Sequence, residues 1–299
     1  MRCSARAAFM SAALLLSAPA AAQEEQPSAA SEIVVTGARE RERQVRDFVS
    51  ALTPAHRDET IPRFIDEVCP HVSGLVPAQN EAVADRLRSV AEAAGLPVAG
   101  RRCAANLFVV VTRDKGEFIR TLASRRPESF AMMTALQIRR LARSPGPAAA
   151  WQLEGLVDNH GTPLVFDLEL NAFRNDTFEA ASRIRTPART AFDAAVLVVE
   201  SEALDGLTPL QLGDYAAMRL LAKVDPARLP ANAPQTILNV LTTPMGSPVP
   251  ITMTNWDLAF LRSLYSVAPD VYVSGQRSDM ARRMIREVDR AAAREREED

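Results

Sequence analysis

An acidic residue, Asp214, lies inside the almost entirely apolar stretch 210–222. Gln211 precedes it by three residues, so the two side chains share one face if the stretch is helical. A buried carboxylate is costly unless it is paired. We therefore expect Asp214 either to satisfy backbone groups or an arginine, such as Arg219 or one from a neighbouring element, or to serve as a catalytic carboxylate in a cleft.

A second polar cluster surrounds Trp256. Thr254 is followed three residues later by Asp257, which is typical of a capped helix N-terminus. This pattern favours a helix cap with a packed Trp256 side chain. The alternative is that Trp256 contributes, with Gln211 and Asp214, to a binding site.

The residue types that carry common catalytic chemistry do not occur in their usual patterns. The three histidines, His56, His71 and His160, are scattered, and no HExxH, GxSxG, P-loop or GxGxxG sequence occurs. A zinc site needs three or four converging ligands, which this scatter does not favour. We predict no metal and no cofactor. A pair of carboxylates facing one cleft is neither supported nor excluded, because acidic residues are plentiful.

The N-terminal 38 residues read as two segments. Residues 1–22 combine Arg2 and Arg6 with a short apolar run and three small residues ending at Ala22, the pattern of a cleaved signal peptide. We predict export to the periplasm or beyond, with no transmembrane span in the mature chain. Residues 23–38 are predicted to be a flexible segment. Its IVVTG run at 33–37 favours a strand at a sheet edge, either in this domain or on another envelope protein.

Export also bears on the cysteines. Cys3 would leave with the leader, so Cys69 and Cys103 remain as an even pair in an oxidising compartment. We predict a structural disulfide that closes a loop of about 35 residues and stabilises the fold by about 3–4 kcal/mol. Two free thiols or a redox pair are the alternatives, although the spacing is too wide for a CxxC motif.

The remaining pattern indicates one domain over residues 39–299. The composition is 47% hydrophobic and 24% charged with a net charge of −2, which is typical of a globular protein and predicts no general attraction to nucleic acid. Two β-branched apolar runs, at 106–112 and 191–200, predict buried strands. We expect an α+β fold, a small mixed sheet packed by helices, with a helix-rich C-terminal half that ends in a charged helix. Helices are predicted at 39–52, 81–94 ending at Gly95, 210–222 capped by Thr208, 254–265 and 278–299.

The order of these pieces resembles a family of secreted proteobacterial proteins of unknown function that are similar to degenerate zincin-type metallopeptidases. The resemblance covers residues 80–290. It rests on the helix that ends at Gly95, the strand that begins at Asn106, the strand 194–199, the apolar helix 210–222 and the helix 254–265. It implies a zincin-like fold.

The helix that would hold the metal departs from the peptidase pattern. Aligning HExxH with Gln211 puts Leu212 at the general base and Tyr215 at the second ligand. Aligning it with Asp214 puts Tyr215 and Met218 at these positions. Neither alignment supplies the two imidazoles and the glutamate that metal-activated water requires. The resemblance therefore implies the shape without the catalysis.

Two functions follow as hypotheses. The first is an exported, non-catalytic envelope protein that binds a protein or polymer partner through a groove beside helix 210–222. The alternative is an envelope hydrolase that uses carboxylates, with Asp214 as the leading acid.

Overall fold

The computed structural model describes residues 29–298, apart from Arg57, Met132, residues 177–181 and Met245. The predicted signal peptide, and residues 23–28 of the segment that follows it, lie outside the described residues. Residues 39–299 cluster as one compact unit.

The centre of this unit is a five-stranded mixed sheet. Its longest strand, β7, follows the apolar run predicted at 191–200 and pairs on one side with β4, antiparallel. On its other side β7 pairs in parallel with β1 and then with β3, and β2 continues the sheet in parallel beyond β3. A separate two-stranded ribbon joins β5 and β6. The strands are β1 (Arg63–Phe64), β2 (Pro70–Ser73), β3 (Leu107–Thr112), β4 (Ala148–Asp158), β5 (Val165–Asp167), β6 (Ala172–Arg174) and β7 (Ala188–Glu200).

Helices cover both faces of the sheet. The larger core lies between the sheet and helices α1, α2, α5, α6 and α7, and the smaller lies on the opposite face under α3 and α4, around Trp151 and Phe130. Alternate residues of β3 and β7 point into the two cores, which is why both strands read as continuous apolar runs. The helices are α1 (Ala29–Leu52), α2 (Pro77–Ala94), α3 (Lys115–Arg125), α4 (Ala135–Ala142), α5 (Pro209–Leu221), α6 (Asn255–Ser266) and α7 (Val273–Glu298).

The predicted combination of a mixed sheet and covering helices is confirmed at this coarse level. The C-terminal half is not the helix-rich one, because four of the seven described helices, α1 to α4, precede β4. The sheet is mainly parallel, however, and α2 connects the parallel strands β2 and β3, so helices and strands alternate there instead of being segregated. The predicted helix ends hold. Gly95 closes α2 at φ 91°, and Thr208 and Thr254 form capping boxes with Gln211 and Asp257.

The predicted strand at 33–37 is wrong. Those residues belong to α1, which begins at Ala29 and runs on through the predicted helix 39–52. Extending an existing helix forms one hydrogen bond for each residue that is fixed, whereas an edge strand needs a partner strand to hydrogen-bond to. The proposed strand addition to another envelope protein through this segment loses its basis for the same reason.

Cys69 and Cys103 form the predicted pair. Their sulfur atoms lie 1.98 Å apart, at bonding distance, and the bond joins the residue before β2 to the loop before β3. Among the helices that the structure describes, none is long and apolar enough to cross a bilayer.

Candidate functional site

Asp214 is completely buried between α5, α2 and the loop before α6. Its Oδ1 accepts a hydrogen bond from Arg86 Nε at 2.5 Å, and its Oδ2 accepts from the Thr252 hydroxyl at 2.8 Å and the Met253 amide at 2.7 Å. Its relative exposure is 0%. The arginine that pairs with it comes from α2 and is not the neighbouring Arg219. These contacts give Asp214 the environment of a structural carboxylate.

The other two predicted site residues also have structural partners. Gln211 closes the capping box of α5 with Thr208 and donates from Nε2 to the Pro250 carbonyl at 2.9 Å. Trp256 packs edge-on against Phe48, with ring centroids 5.7 Å apart. None of the predicted residues Gln211, Asp214 and Trp256 lines the large cleft described below.

A second buried carboxylate, Asp257, lies close to Asp214. The two acids accept from consecutive amides, those of Met253 and Thr254. Asp257 also accepts from the Thr236 hydroxyl and the Ile237 amide, and it too is 0% exposed. The pair of acids that the hydrolase hypothesis requires is therefore present in space, but neither acid is accessible to a substrate.

A cleft of about 860 Å³ lies on a different side of α5. One wall of the cleft is the edge strand β4. The other walls are Tyr215 and Arg219 of α5, Lys223 in the turn after α5, and the segment 238–242. Its rim includes the Pro145–Gly146–Pro147 turn and Arg228. The cleft thus lies beside helix 210–222, but the side chains that α5 presents to it are not those singled out in the sequence.

The free edge of β4 forms one wall of this cleft. The Glu200 amide donates to the Pro147 carbonyl, and Ala148 lies opposite Val199. In an antiparallel ladder the hydrogen-bonded pairs alternate, so residues 147, 149 and 151 bond β7, while the backbone amides and carbonyls of Ala148, Ala150 and Gln152 point away from it. Among the described strands only β7 pairs with β4. These backbone groups therefore line the cleft without a strand partner.

Side chains tie this edge to α5. Gln152 donates from Nε2 to the Arg219 carbonyl at 3.0 Å and to the Ala222 carbonyl at 3.4 Å, which satisfies the C-terminal end of α5. Lys223 forms an ion pair with Glu154 at 2.6 Å. The strand and the helix are therefore held at a fixed separation, and the cleft is built into the fold.

Two polar atoms at the cleft have no hydrogen-bond partner among the described residues. They are the Arg219 Nε and the Ser144 hydroxyl oxygen, and both are buried. Native proteins leave few such atoms unpaired. Arg219 already donates from Nη1 to the Tyr215 hydroxyl at 2.6 Å. Arg219 and Ser144 therefore keep unsatisfied hydrogen-bonding atoms in the wall of the cleft.

The cleft contains one neutral phenol and several charged side chains. Burial raises the pKa of the Tyr215 hydroxyl, although Arg219 opposes this, so the phenol stays neutral at physiological pH. The charged side chains on the walls are Arg219, Lys223, Arg228, Glu154 and Asp225, which leave a small positive excess. The geometry suits recognition by hydrogen bonding and charge.

Within the described part of the chain, no three His, Cys, Asp or Glu side chains lie close enough together to hold a metal ion. No protein-family model, no curated protein and no solved structure matches this chain. The function of the cleft is therefore inferred from its own geometry.

Little in the sequence pointed to this site. Gln152 and Glu154 are ordinary polar residues of a strand, and Arg219 is one of many arginines. What distinguishes them is that β4 is an edge strand, and strand order follows from tertiary pairing.

A second exposed feature is the ribbon β5–β6, where Val165, Leu168, Leu170 and Phe173 are 48–87% exposed. Nothing in the structure shows what covers it.

Proposed function

We propose that this protein is an exported, non-catalytic envelope protein that binds a partner in the cleft between β4 and α5. The occupant that the geometry favours is an extended polypeptide segment of another protein. The single observation that carries the proposal is the unpaired edge of β4, whose outward backbone groups face a cleft large enough to admit a chain.

An extended polypeptide segment would supply the hydrogen-bond partners that the outward backbone groups of β4 lack. Edge strands recruit added strands through main-chain hydrogen bonds, and side-chain pockets give the specificity. The segment would pair with Ala148, Ala150 and Gln152. A carboxylate on it would meet Arg219, whose Nε has no partner within the described residues. The positive excess on the walls favours an acidic segment.

Further support comes from the burial of the two candidate acids. Asp214 and Asp257 are sealed in the core, and Tyr215 is held neutral beside Arg219. The alternative function, a hydrolase based on Asp214, would require the ion pair with Arg86 to break before a substrate could reach the acid. We therefore favour binding over hydrolysis.

The zincin-like fold and the export of the protein form part of the same proposal. The strand β7, followed by the apolar α5 without histidines, keeps the order of pieces on which the family resemblance rests. The disulfide and the lack of a membrane-spanning helix in the described residues are compatible with an exported chain. We infer a degenerate peptidase shape in which the cleft remains and the metal site does not.

The test is binding of displayed peptides. Mature protein is panned against a library of random twelve-residue peptides, and the selected peptides are measured by titration calorimetry. Ala150→Pro removes an amide that points into the cleft while leaving the ladder to β7 intact. We expect it to weaken binding at least tenfold, whereas Ala150→Ser, which keeps the amide, binds like the wild type.

A second variant separates charge from backbone pairing. Arg219→Met should weaken acidic peptides several-fold and leave neutral ones unchanged. If no peptide is selected and purified peptidoglycan sacculi retain the protein instead, the polymer partner replaces the polypeptide. Cleavage of casein or of sacculi by the wild type, abolished by Asp214→Asn without loss of folding, would establish the hydrolase.

A further inference from the structure

A smaller pocket of about 390 Å³ lies away from the residues of the cleft. It is lined by β1, the end of α2, the turn after β4, the start of β7 and the last turn of α6. Its polar side chains are Arg63, Arg189, His160, Asp66 and Tyr265. Two of these, Arg63 and Arg189, are only 6% and 7% exposed.

Arg189 is the unusual member of this set. It projects from β7, and its guanidinium makes no hydrogen bond and no ion pair with the described residues; its Nε is both buried and without a partner. A buried guanidinium is normally paired, because removing it from water is costly. The Arg189 guanidinium therefore has donors without an acceptor among the residues that the structure describes.

The two carboxylates that act electrostatically on Arg189, Asp158 and Asp270, are engaged elsewhere. Asp158 accepts from the amides of His160 and Thr162, both at 2.8 Å. Asp270 forms an ion pair with Arg185 at 2.6 Å. Burial lowers the pKa of Arg189. The negative charges of Asp270 and Asp158 raise this pKa, but by less than burial lowers it. Their charge does not supply the missing contact.

Arg63 adds a second cation with a different role. It donates to the carbonyls of Leu264 and Val267, so it caps the C-terminal end of α6. Burial lowers its pKa to about 10, and the nearby Arg189 contributes to the decrease. The two guanidiniums thus repel one another inside the same pocket, and an anion between them would relieve that repulsion.

Arg189 lines the pocket next to Gly161. Gly161 lies at its rim with φ 89°, and a Cβ there would approach Arg189 Nη2 to 4.0 Å and the Ile65 side chain to 3.2 Å. The glycine is required for the turn, and it also leaves open the space in front of the guanidinium. His160, exposed beside it, provides a further donor at the entrance.

We propose that the pocket formed by Arg63, Arg189 and His160 is a binding site for an oxyanion, a phosphate or carboxylate group, with Arg189 as its bidentate donor. Planar guanidinium groups match both kinds of oxyanion. This inference does not depend on the function of the cleft.

The test measures binding of inorganic phosphate and of acetate to the mature protein, each by titration calorimetry at constant ionic strength with chloride as the reference. The Nε–Hε signal of Arg189 is followed by NMR in the same titrations. We expect saturable binding, a shift of that signal, and at least about a tenfold loss of affinity in Arg189→Met. Arg126→Met removes the same charge from a side chain that is 72% exposed, and it should bind like the wild type.

Each outcome is informative. Tighter phosphate binding identifies a phosphorylated ligand or free phosphate, and tighter acetate binding identifies a carboxylated one. Arg189→Lys keeps the charge without the fork and should bind several-fold more weakly, so it decides the matter if the Met variant does not fold. The proposal is overturned if neither anion saturates, or if Arg189→Met and Arg126→Met bind equally well.

Discussion

Asp214 illustrates how the partner of a residue determines what the residue does. Its position in an apolar helix left two roles open, and the choice between them rests on Arg86, which is 128 positions away in the chain. With Arg86, Thr252 and Met253 all donating to it, the carboxylate fastens α5 to α2 and to the loop before α6. It holds three elements together and is not exposed to solvent.

Replacement of Asp214 is expected to cost stability. Asp214→Ala leaves the Arg86 guanidinium and the Met253 amide unpaired, and we expect the free energy of unfolding to fall by about 2–4 kcal/mol. The lower part of that range allows for the 28% exposure of the Arg86 side chain. Urea unfolding measures the loss. Asp176→Ala, at a side chain that is 75% exposed, should cost under about 1 kcal/mol. Equal stability of the two variants would contradict the structural role.

Asp257 gives a prediction about pH. Burial raises the pKa of its carboxyl above the ordinary value, although hydrogen bonds from Thr236, Ile237 and Thr254 lower it. The folded state therefore binds the proton more tightly than the unfolded state. The contribution of this group to stability is largest at low pH and falls as pH rises from the unfolded pKa of about 3.9 to the raised folded pKa.

The measurement compares the wild type with Asp257→Asn by urea unfolding from pH 4 upwards. Because the other groups cancel in the difference, the stability of the wild type relative to the variant should decrease with rising pH and then level off. A difference that increases with pH would mean that the hydrogen bonds outweigh burial and that the folded pKa is lowered.

At the scale of elements, α2 and α5 pack closely at Gly213. A Cβ at this position would lie 2.7 Å from both Cβ and Cγ of Arg86. The stem of Arg86 is fixed because its guanidinium is bound to Asp214. The glycine therefore permits the close approach of the helices that the ion pair needs.

Gly213→Ala tests this packing. Helix propensity alone predicts a gain of about 1 kcal/mol. We expect a net loss of about 1–3 kcal/mol instead, because the added methyl group forces the two helices apart. Thermal and urea unfolding measure the sign of the change, and a more stable variant would show that the helices can separate without cost.

At the scale of the whole molecule, the first part of the compact unit is integral to its core. Val45, Phe48, Val49 and Leu52 of α1 are each 1% exposed. Phe48 packs edge-on against Trp256 and Phe260 of α6. Burial of these four side chains is worth about 6–12 kcal/mol, which is comparable to the total stability of a domain, about 5–15 kcal/mol.

Two truncations follow from this arrangement. A chain that begins at Arg39 should unfold cooperatively in urea, with a midpoint close to that of the mature protein. A chain that begins at Thr53 should lose its cooperative transition and bind hydrophobic dyes. Cooperative unfolding of the shorter chain would mean that α1 is dispensable to the core.

The sequence by itself determined the features that depend on neighbouring residues. The capping boxes at Thr208 and Thr254, the end of α2 at Gly95 and the buried runs of β3 and β7 follow from local hydrogen bonding and hydrophobic pattern. The pairing of Cys69 with Cys103 was predictable because only these two cysteines lie outside the predicted signal peptide. The run at 33–37 was wrongly predicted to be a strand, because its β-branched residues are also compatible with extension of an adjacent helix.

Only the tertiary structure decided which polar groups are satisfied. Asp214 is sealed by Arg86, whereas Arg189 and Arg219 keep donors without a partner in the described part of the chain. The edge position of β4, which makes the cleft, results from strand order. These properties arise from contacts between residues that are distant in sequence, and local patterns carry no information about such contacts.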